Sequence, residues 1–138
     1  MSPFKTLAAA SSLLMAAQGG CVPSPIMSGA TPEGRKLFAA LDSEIGKEIQ
    51  VSGYLRYEFE NHNLYPTKNW EEESSDSLCI PIGVRVSDPA LEKQVRRLNG
   101  SIVVVRGTVT QLVPNEHVST ALCKDVGILL QSVAFRRY

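Results

Sequence analysis

A long alternating segment with a glycine near its middle constrains the fold more than any other feature of the sequence. Between Glu48 and Phe59, apolar side chains of one parity recur at Ile49, Val51, Leu55, Tyr57 and Phe59. Such alternation predicts a strand with one buried face. Gly53 inside that strand predicts a bulge or a sharp bend, as in a small coiled barrel. A bent strand of this length needs several partner strands to bury its apolar face.

Four further strands are predicted downstream, at 64–68, 78–86, 102–112 and 126–135. Capping residues predict a helix from Asp88 to Gly100, between the third and fourth strands, and a short N-terminal helix from Thr31 to Gly46. This order resembles the OB-fold, whose helix lies between strands three and four. The resemblance implies a mainly β protein: a small five-stranded OB-like Greek-key barrel with a short N-terminal helix.

The first twenty residues have the three parts of a secretory signal peptide. Lys5 is their one charge, an apolar run covers 7–17, and small residues precede Cys21. The run is shorter than the ~20 residues that a membrane-spanning helix needs. We therefore predict a signal peptide over 1–20, a tether rich in proline, glycine and serine over 21–30, and an OB-like domain over 31–138.

Two cleavage sites are possible at the end of this leader. The residues before Cys21 resemble the end of a bacterial lipoprotein signal, whose cysteine is lipidated and becomes the new N-terminus. Gly19 and Gly20 fit that pattern, whereas Gln18 stands where a branched apolar residue is usual. Ordinary cleavage after Gly19 is the alternative, so the exported chain is predicted to be either lipid-anchored at Cys21 or simply secreted.

The odd number of cysteines is explained by one residue at the leader boundary and one pair in the domain. Cys79 begins the third predicted strand, and Cys123 immediately precedes the fifth. The OB resemblance makes these strands parallel neighbours, and exported proteins fold in an oxidising compartment. A Cys79–Cys123 disulfide is therefore predicted, with a stabilisation of up to ~4 kcal/mol from the closed loop. Two buried free thiols are the alternative for a cytoplasmic protein.

A second resemblance is carried by Gly46 to Tyr65. Residues 46–55 read G-K-E-I-Q-V-S-G-Y-L, followed by E-F-E at 58–60 and N-L-Y at 63–65. This segment resembles the start of uncharacterised bacterial extracytoplasmic proteins and lipoproteins with OB-like domains. The resemblance implies a fold, and it implies no catalytic residue.

The outward side of the first long strand is the predicted ligand surface. Tyr54 and Arg56 have the opposite parity from the apolar set. OB domains bind ligands on outward strand residues and the loops that frame them. Tyr65 and Trp70 add aromatic rings on which a ligand could stack. These four residues are predicted as a ligand site, and the simpler interpretation is ordinary barrel exterior with Tyr65 or Trp70 covering a barrel end.

The other polar segments are predicted to be solvated surface. Residues 69–76 form an acidic loop without the spacing of a calcium loop. His62 and His117 lie in polar loops with no nucleophile motif beside them, so surface histidine is the better interpretation. The cysteines lack C-x-x-C spacing. The sequence therefore predicts no metal site, no catalytic residue and no cofactor, and we expect that the chain is not an enzyme.

The charge balance argues against nucleic acid as the partner. The 138 residues include 14 basic and 14 acidic ones, and loss of Lys5 with the leader leaves 13 against 14. Nucleic-acid binders normally carry a basic surplus. We expect a non-enzymatic, extracytoplasmic OB-like binding or envelope-structural module with an unknown protein or small-molecule partner, touching a membrane only through a lipid at Cys21. A single-stranded nucleic-acid-binding OB domain is the alternative, and an enzyme of unknown class is the remaining one.

Replacement of Cys21 tests the lipid attachment. If Cys21 is lipidated, Cys21→Ser removes the acceptor, and the exported protein moves from the membrane fraction to the soluble fraction because no acyl chain then enters the bilayer. Fractionation with immunoblotting measures the distribution, and Ser24→Ala in the same tether is the control. An unchanged distribution would support ordinary cleavage instead.

Overall fold

The computed structural model describes residues 25–75, 78–113, 116–118 and 123–137. The predicted signal peptide, Cys21 and the first part of the predicted tether lie outside these described residues. The described elements, with a 3-10 turn at Leu41–Glu44, are β1 Ile26–Ser28, α1 Pro32–Ala39, β2 Glu48–Glu58, β3 Asn61–Tyr65, α2 Trp70–Ser75, β4 Ile80–Arg85, α3 Pro89–Arg97, β5 Ile102–Gln111, β6 His117–Val118 and β7 Val126–Phe135. The prediction of a mainly β chain is confirmed.

Both predicted helices begin at the residues whose side chains cap them. The Thr31 hydroxyl accepts a hydrogen bond from the Gly34 amide at 3.0 Å, and an Asp88 carboxylate oxygen accepts one from the Leu91 amide at 3.1 Å. Each bond satisfies an amide that has no partner within the helix.

No helix among the described residues is long and apolar enough to cross a bilayer.

The strands are paired in a ring. β2 is antiparallel to β3, β3 to β4, and β5 to β7, whereas β4 and β7 are parallel. The ring returns to its start because β2 is also antiparallel to β5 along its other edge. Apolar residues face each other across these pairings, as in Leu55 opposite Leu64 and Val51 opposite Val105. The buried face predicted for the long strand is thereby enclosed.

Two short strands are present where the sequence predicted none. β1 lies in the segment predicted as tether and is parallel to β2, and β6 lies in a predicted loop and pairs with β4. The described residues therefore form two strands more than the five predicted. Strands of two or three residues are too short to show alternation in a sequence. The position of β1 also requires a glycine at residue 34 in α1, because a Cβ at Gly34 would lie 1.7 Å from the Ser28 carbonyl oxygen.

Gly53 allows β2 to change partners along one edge. Residues 50–52 of β2 pair with β1, and residues 54–58 pair with β3 along the same edge. A Cβ at Gly53 would lie 2.5 Å from the Tyr65 carbonyl oxygen, so only glycine permits this approach. β2 ends at Glu58. Phe59, which was assigned to the buried face, is 85% exposed in the following turn.

Helical residues close the two ends of the apolar core. Phe38 and Leu41 are buried at the end where β2 begins, and the Gly46 amide there donates to the Val109 carbonyl oxygen at 2.8 Å. Leu91 and Val95 of α3 belong to the same buried cluster and lie at the opposite end, where α3 contacts β7, β4 and β2. The N-terminal helix is therefore part of the domain.

The predicted disulfide is confirmed. Cys79 and Cys123 are bonded, with their Cα atoms 6.5 Å apart. Cys79 precedes β4 and Cys123 precedes β7, and these two strands are parallel neighbours. The bond therefore joins the starts of two adjacent strands, and it rules out the alternative of two free thiols.

Truncation of Phe38 tests the role of α1 as a closure of the core. Phe38 is fully buried, so Phe38→Ala should lower the free energy of unfolding by about 3–5 kcal/mol. The exposed Phe59 is the matched control, and Phe59→Ala should change it by about 0.5 kcal/mol or less. Urea denaturation followed by circular dichroism measures both. Equal effects would contradict the packing described for α1.

Candidate functional site

Three of the four predicted ligand residues form one cluster on the outward face of β2 and β3. The Arg56 guanidinium carbon lies 5.1 Å from the centroid of the Trp70 ring, and the Tyr65 and Trp70 rings are 5.6 Å apart. Tyr54 lies directly opposite Tyr65 in the strand register, so it shares their face. The structure thus brings the four residues close to one face, and a ligand bound to them stays a prediction.

Much of this face is covered by the chain itself. Tyr65 and Asn63 are only 3% and 2% exposed. The Cys123 amide donates to the side-chain oxygen of Asn63 at 3.1 Å, and the Tyr65 hydroxyl donates to that of Asn61 at 3.1 Å. Tyr65 and Asn63 are therefore engaged in internal packing and hydrogen bonds, and little of either is open to a ligand.

Arg56 is also largely occupied. Its Nη2 atom is 2.5 Å from Glu58 Oε1, and its guanidinium lies over Trp70. The same Glu58 oxygen accepts a hydrogen bond from the Asn99 side-chain amide at 3.2 Å. The Arg56 side chain keeps 21% of its surface exposed. It can contribute to the edge of a binding site, and its charge is already balanced within the protein.

The acidic segment predicted as a solvated loop contains α2, and that prediction is wrong for residues 70–75. Glu73 is 6% exposed and pairs with Arg35 of α1 at 2.5 Å. The Thr67 amide donates to the second Glu73 oxygen at 2.9 Å. Burial of a carboxylate is tolerated because both oxygens have partners. Within the described part of the chain, no three side chains are grouped so that they could hold a metal ion.

His62 is buried, so its assignment to the surface is wrong. It is 2% exposed and stacks on Tyr57, with ring centroids 3.9 Å apart and planes at 8°. The guanidinium carbon of Arg96 in α3 lies over the Tyr57 ring, 5.3 Å from its centroid. Burial, and then the positive charge of Arg96, lower the pKa of His62 below its ordinary value. His117 forms part of β6, and its side chain lies outside the described atoms.

The open part of the outward face is a groove of about 310 Å³ beside Gly53. Ser28 lies opposite Ser52 in the register, and Ile102 lies opposite Tyr54, so the groove is on the same face of β2 as Tyr54. Its lining includes Ser28, Ser52, Thr67, Lys68, Asn69 and Ile102. We call this surface the β1–β2 groove. Lys68 is its one charged lining residue.

Part of this groove could have been found from the sequence. Ser52 has the same parity as Tyr54 and Arg56, so a search along that face would have included it. Ser28 could not have been found, because β1 was assigned to a tether. Thr67 and Asn69 lie in the connection from β3 to α2, whose position depends on the buried contacts of Glu73.

Comparisons with known proteins do not identify a family. No protein family model and no curated protein sequence matches the chain. One similar solved structure is described as "OBody AM3L15 bound to hen egg-white lysozyme", with a TM-score of 0.48 and 17% sequence identity over 72% of this chain and 91% of that one. A likeness at this level carries no weight for fold or function, which rest on this chain's own pairings and contacts.

Burial of neutral His62 predicts a loss of stability in mild acid. The pKa of His62 is lower in the folded than in the unfolded chain, so the unfolded chain binds more protons once the pH falls below about 6.5. The free energy of unfolding should therefore fall between pH 6.5 and 5.5, by at most about 1.4 kcal/mol per pH unit. Urea titrations at several pH values measure this free energy of unfolding.

Each histidine can be replaced separately to assign this pH dependence. His62→Phe keeps a ring against Tyr57 and should remove the decline, whereas His117→Gln should leave it in place. A decline that persists in His62→Phe would show that another group causes it.

Proposed function

We propose that the chain is an exported, non-enzymatic binding module with an OB-like fold. The pairing order supports the fold. We number β2, β3, β4, β5 and β7 as barrel strands one to five. Around the ring, strand one then pairs with two, two with three, three with five, five with four, and four with one. α3 follows the third of these strands, where the OB-fold has its helix. β1 and β6 are then additions to a five-stranded Greek-key barrel.

Export is supported by the disulfide, since such bonds persist in oxidising compartments. We further propose attachment by a lipid at Cys21, and membership of the bacterial extracytoplasmic family that residues 46–65 resemble. β1 begins at Ile26. Five residue steps from Cys21 would span at most about 18 Å, so a lipid there would hold the domain close to the bilayer.

The β1–β2 groove is the proposed binding site. Its volume of about 310 Å³ lies at the lower end of the range for small-molecule sites. Hydroxyl and amide side chains line it together with Ile102 and the cation Lys68. This lining suits a small polar ligand, either neutral or carrying one negative charge. It includes no carboxylate, thiol or imidazole that could act as a general base, which favours binding over catalysis.

Occupation of the groove can be tested with a defined panel of ligands. Amide NMR spectra of the processed chain, with Cys21→Ser to omit the lipid, are recorded with mono- and disaccharides and with neutral and anionic dipeptides. A ligand should shift the amides of Ser52, Gly53 and Lys68. Ala30 also lines the groove, so Ala30→Trp should fill it and weaken binding by at least about tenfold.

Two further variants separate binding from folding. Ala90→Trp places the same bulky group on exposed α3 and should leave affinity unchanged. Tyr54→Ala should weaken binding more than it lowers the melting temperature, because Tyr54 is half-buried and lies opposite Ile102, which lines the groove. The proposal is wrong if no member of the panel shifts the groove amides, or if the two tryptophan variants behave alike.

A further inference from the structure

The end of the sheet that α3 covers carries a net positive charge, although the processed chain as a whole does not. The Asp88 amide donates to the Arg85 carbonyl oxygen at 2.9 Å, the Gln94 side chain donates to the Val133 carbonyl oxygen at 3.1 Å, and the Arg136 amide donates to that of Ile102 at 3.0 Å. These bonds bring the ends of β4, α3 and β7 and the start of β5 together. We call the surface formed there by Arg85, Val86, Lys93, Arg97, Phe135 and Arg137 the basic end.

Few acidic groups balance the charge at this end. Asp88 caps α3, and Glu92 pairs with Arg96 at 2.6 Å. The remaining cations, which are exposed and form no side-chain ion pair or hydrogen bond within the described part of the chain, are Arg85, Lys93, Arg97 and Arg137. The region formed by residues 85–102 and 133–137, with Glu116, whose carbonyl oxygen accepts a hydrogen bond from the Val86 amide at 3.1 Å, contains six basic and three acidic residues. The rest of the processed chain contains seven basic and eleven acidic ones, so charge is segregated.

Exposed apolar side chains accompany these cations. Phe135 is 58% exposed and Val86 is 55% exposed, although most large apolar residues of the domain are buried. Unpaired Lys and Arg beside exposed Phe is a combination typical of surfaces that bind at the headgroup level of a membrane. The cations lie on β4, on α3 and after β7, so they are spread around the end. Such a distribution matches an extended anionic surface better than one small ligand.

We propose that the basic end docks on an anionic phospholipid surface. The cations supply attraction to the lipid phosphates, and Phe135 and Val86 enter the interfacial layer. This surface shares no residue with the β1–β2 groove, so it does not depend on the function proposed for the groove. The docking itself requires no lipid attachment at Cys21.

Vesicle binding tests the proposal directly. The processed chain with Cys21→Ser is mixed with phosphatidylcholine vesicles that contain either no or one-third phosphatidylglycerol, and bound protein is measured by flotation. We expect binding to the anionic vesicles alone, with release in high salt because screening weakens the attraction. Each cation should contribute about fivefold to the partition coefficient, so Lys93→Gln with Arg97→Gln should lower it by more than about tenfold.

A matched double variant separates the basic end from overall charge. Lys36→Gln with Lys47→Gln removes the same charge from exposed residues near the opposite end and should change binding less than about threefold. Phe135→Ser should weaken binding without a change in the salt dependence. The proposal is overturned if anionic vesicles do not bind the protein, if both double variants lose binding equally, or if neutral vesicles bind as well as anionic ones.

Discussion

The close approach at Gly53 is the constraint on which the sheet depends. Because Gly53 has no Cβ, the Tyr65 carbonyl oxygen can approach the β2 backbone closely. A Cβ at this position would lie 2.5 Å from that oxygen and would clash with it. β2 can then pair with β1 and β3 along one edge and with β5 along the other. This double pairing closes the ring around the apolar core. The β1–β2 groove lies beside the same residue, where β1 and β3 meet end to end.

Packing of the chain against itself decides which part of the outward face remains open. Trp70 of α2 lies against Arg56 and Tyr65, the Cys123 amide donates a hydrogen bond to the Asn63 side chain, and Glu73 holds α2 to α1 through Arg35. Each contact satisfies a polar or aromatic group that would otherwise be exposed. The consequence is a smaller candidate site, displaced from the aromatic cluster toward β1. The basic end is a separate surface, defined by four exposed cations that form no side-chain ion pair with any described residue.

Much of the fold could be predicted because its causes are local or follow from strand order. Alternation predicted β2, capping chemistry predicted α1 and α3, and the order of strands predicted the Cys79–Cys123 bond. The burial of His62 could not be predicted, because its stacking on Tyr57 and the position of Arg96 depend on how α3 packs against the β2–β3 hairpin. For the same reason the acidic segment was expected to be solvated, since the partner of Glu73 is 38 residues away.

The sequence by itself indicated the five longer strands, the starts of α1 and α3, the cysteine pair and the face on which Tyr54 and Arg56 lie. These follow from side-chain parity, capping groups and thiol chemistry, which act over a few residues or through strand order. Only the tertiary structure decided that β1 belongs to the sheet, that Tyr65 is covered and that the open site is a groove beside Gly53. Those outcomes depend on contacts between distant segments, and their energies exist only once the segments are packed together.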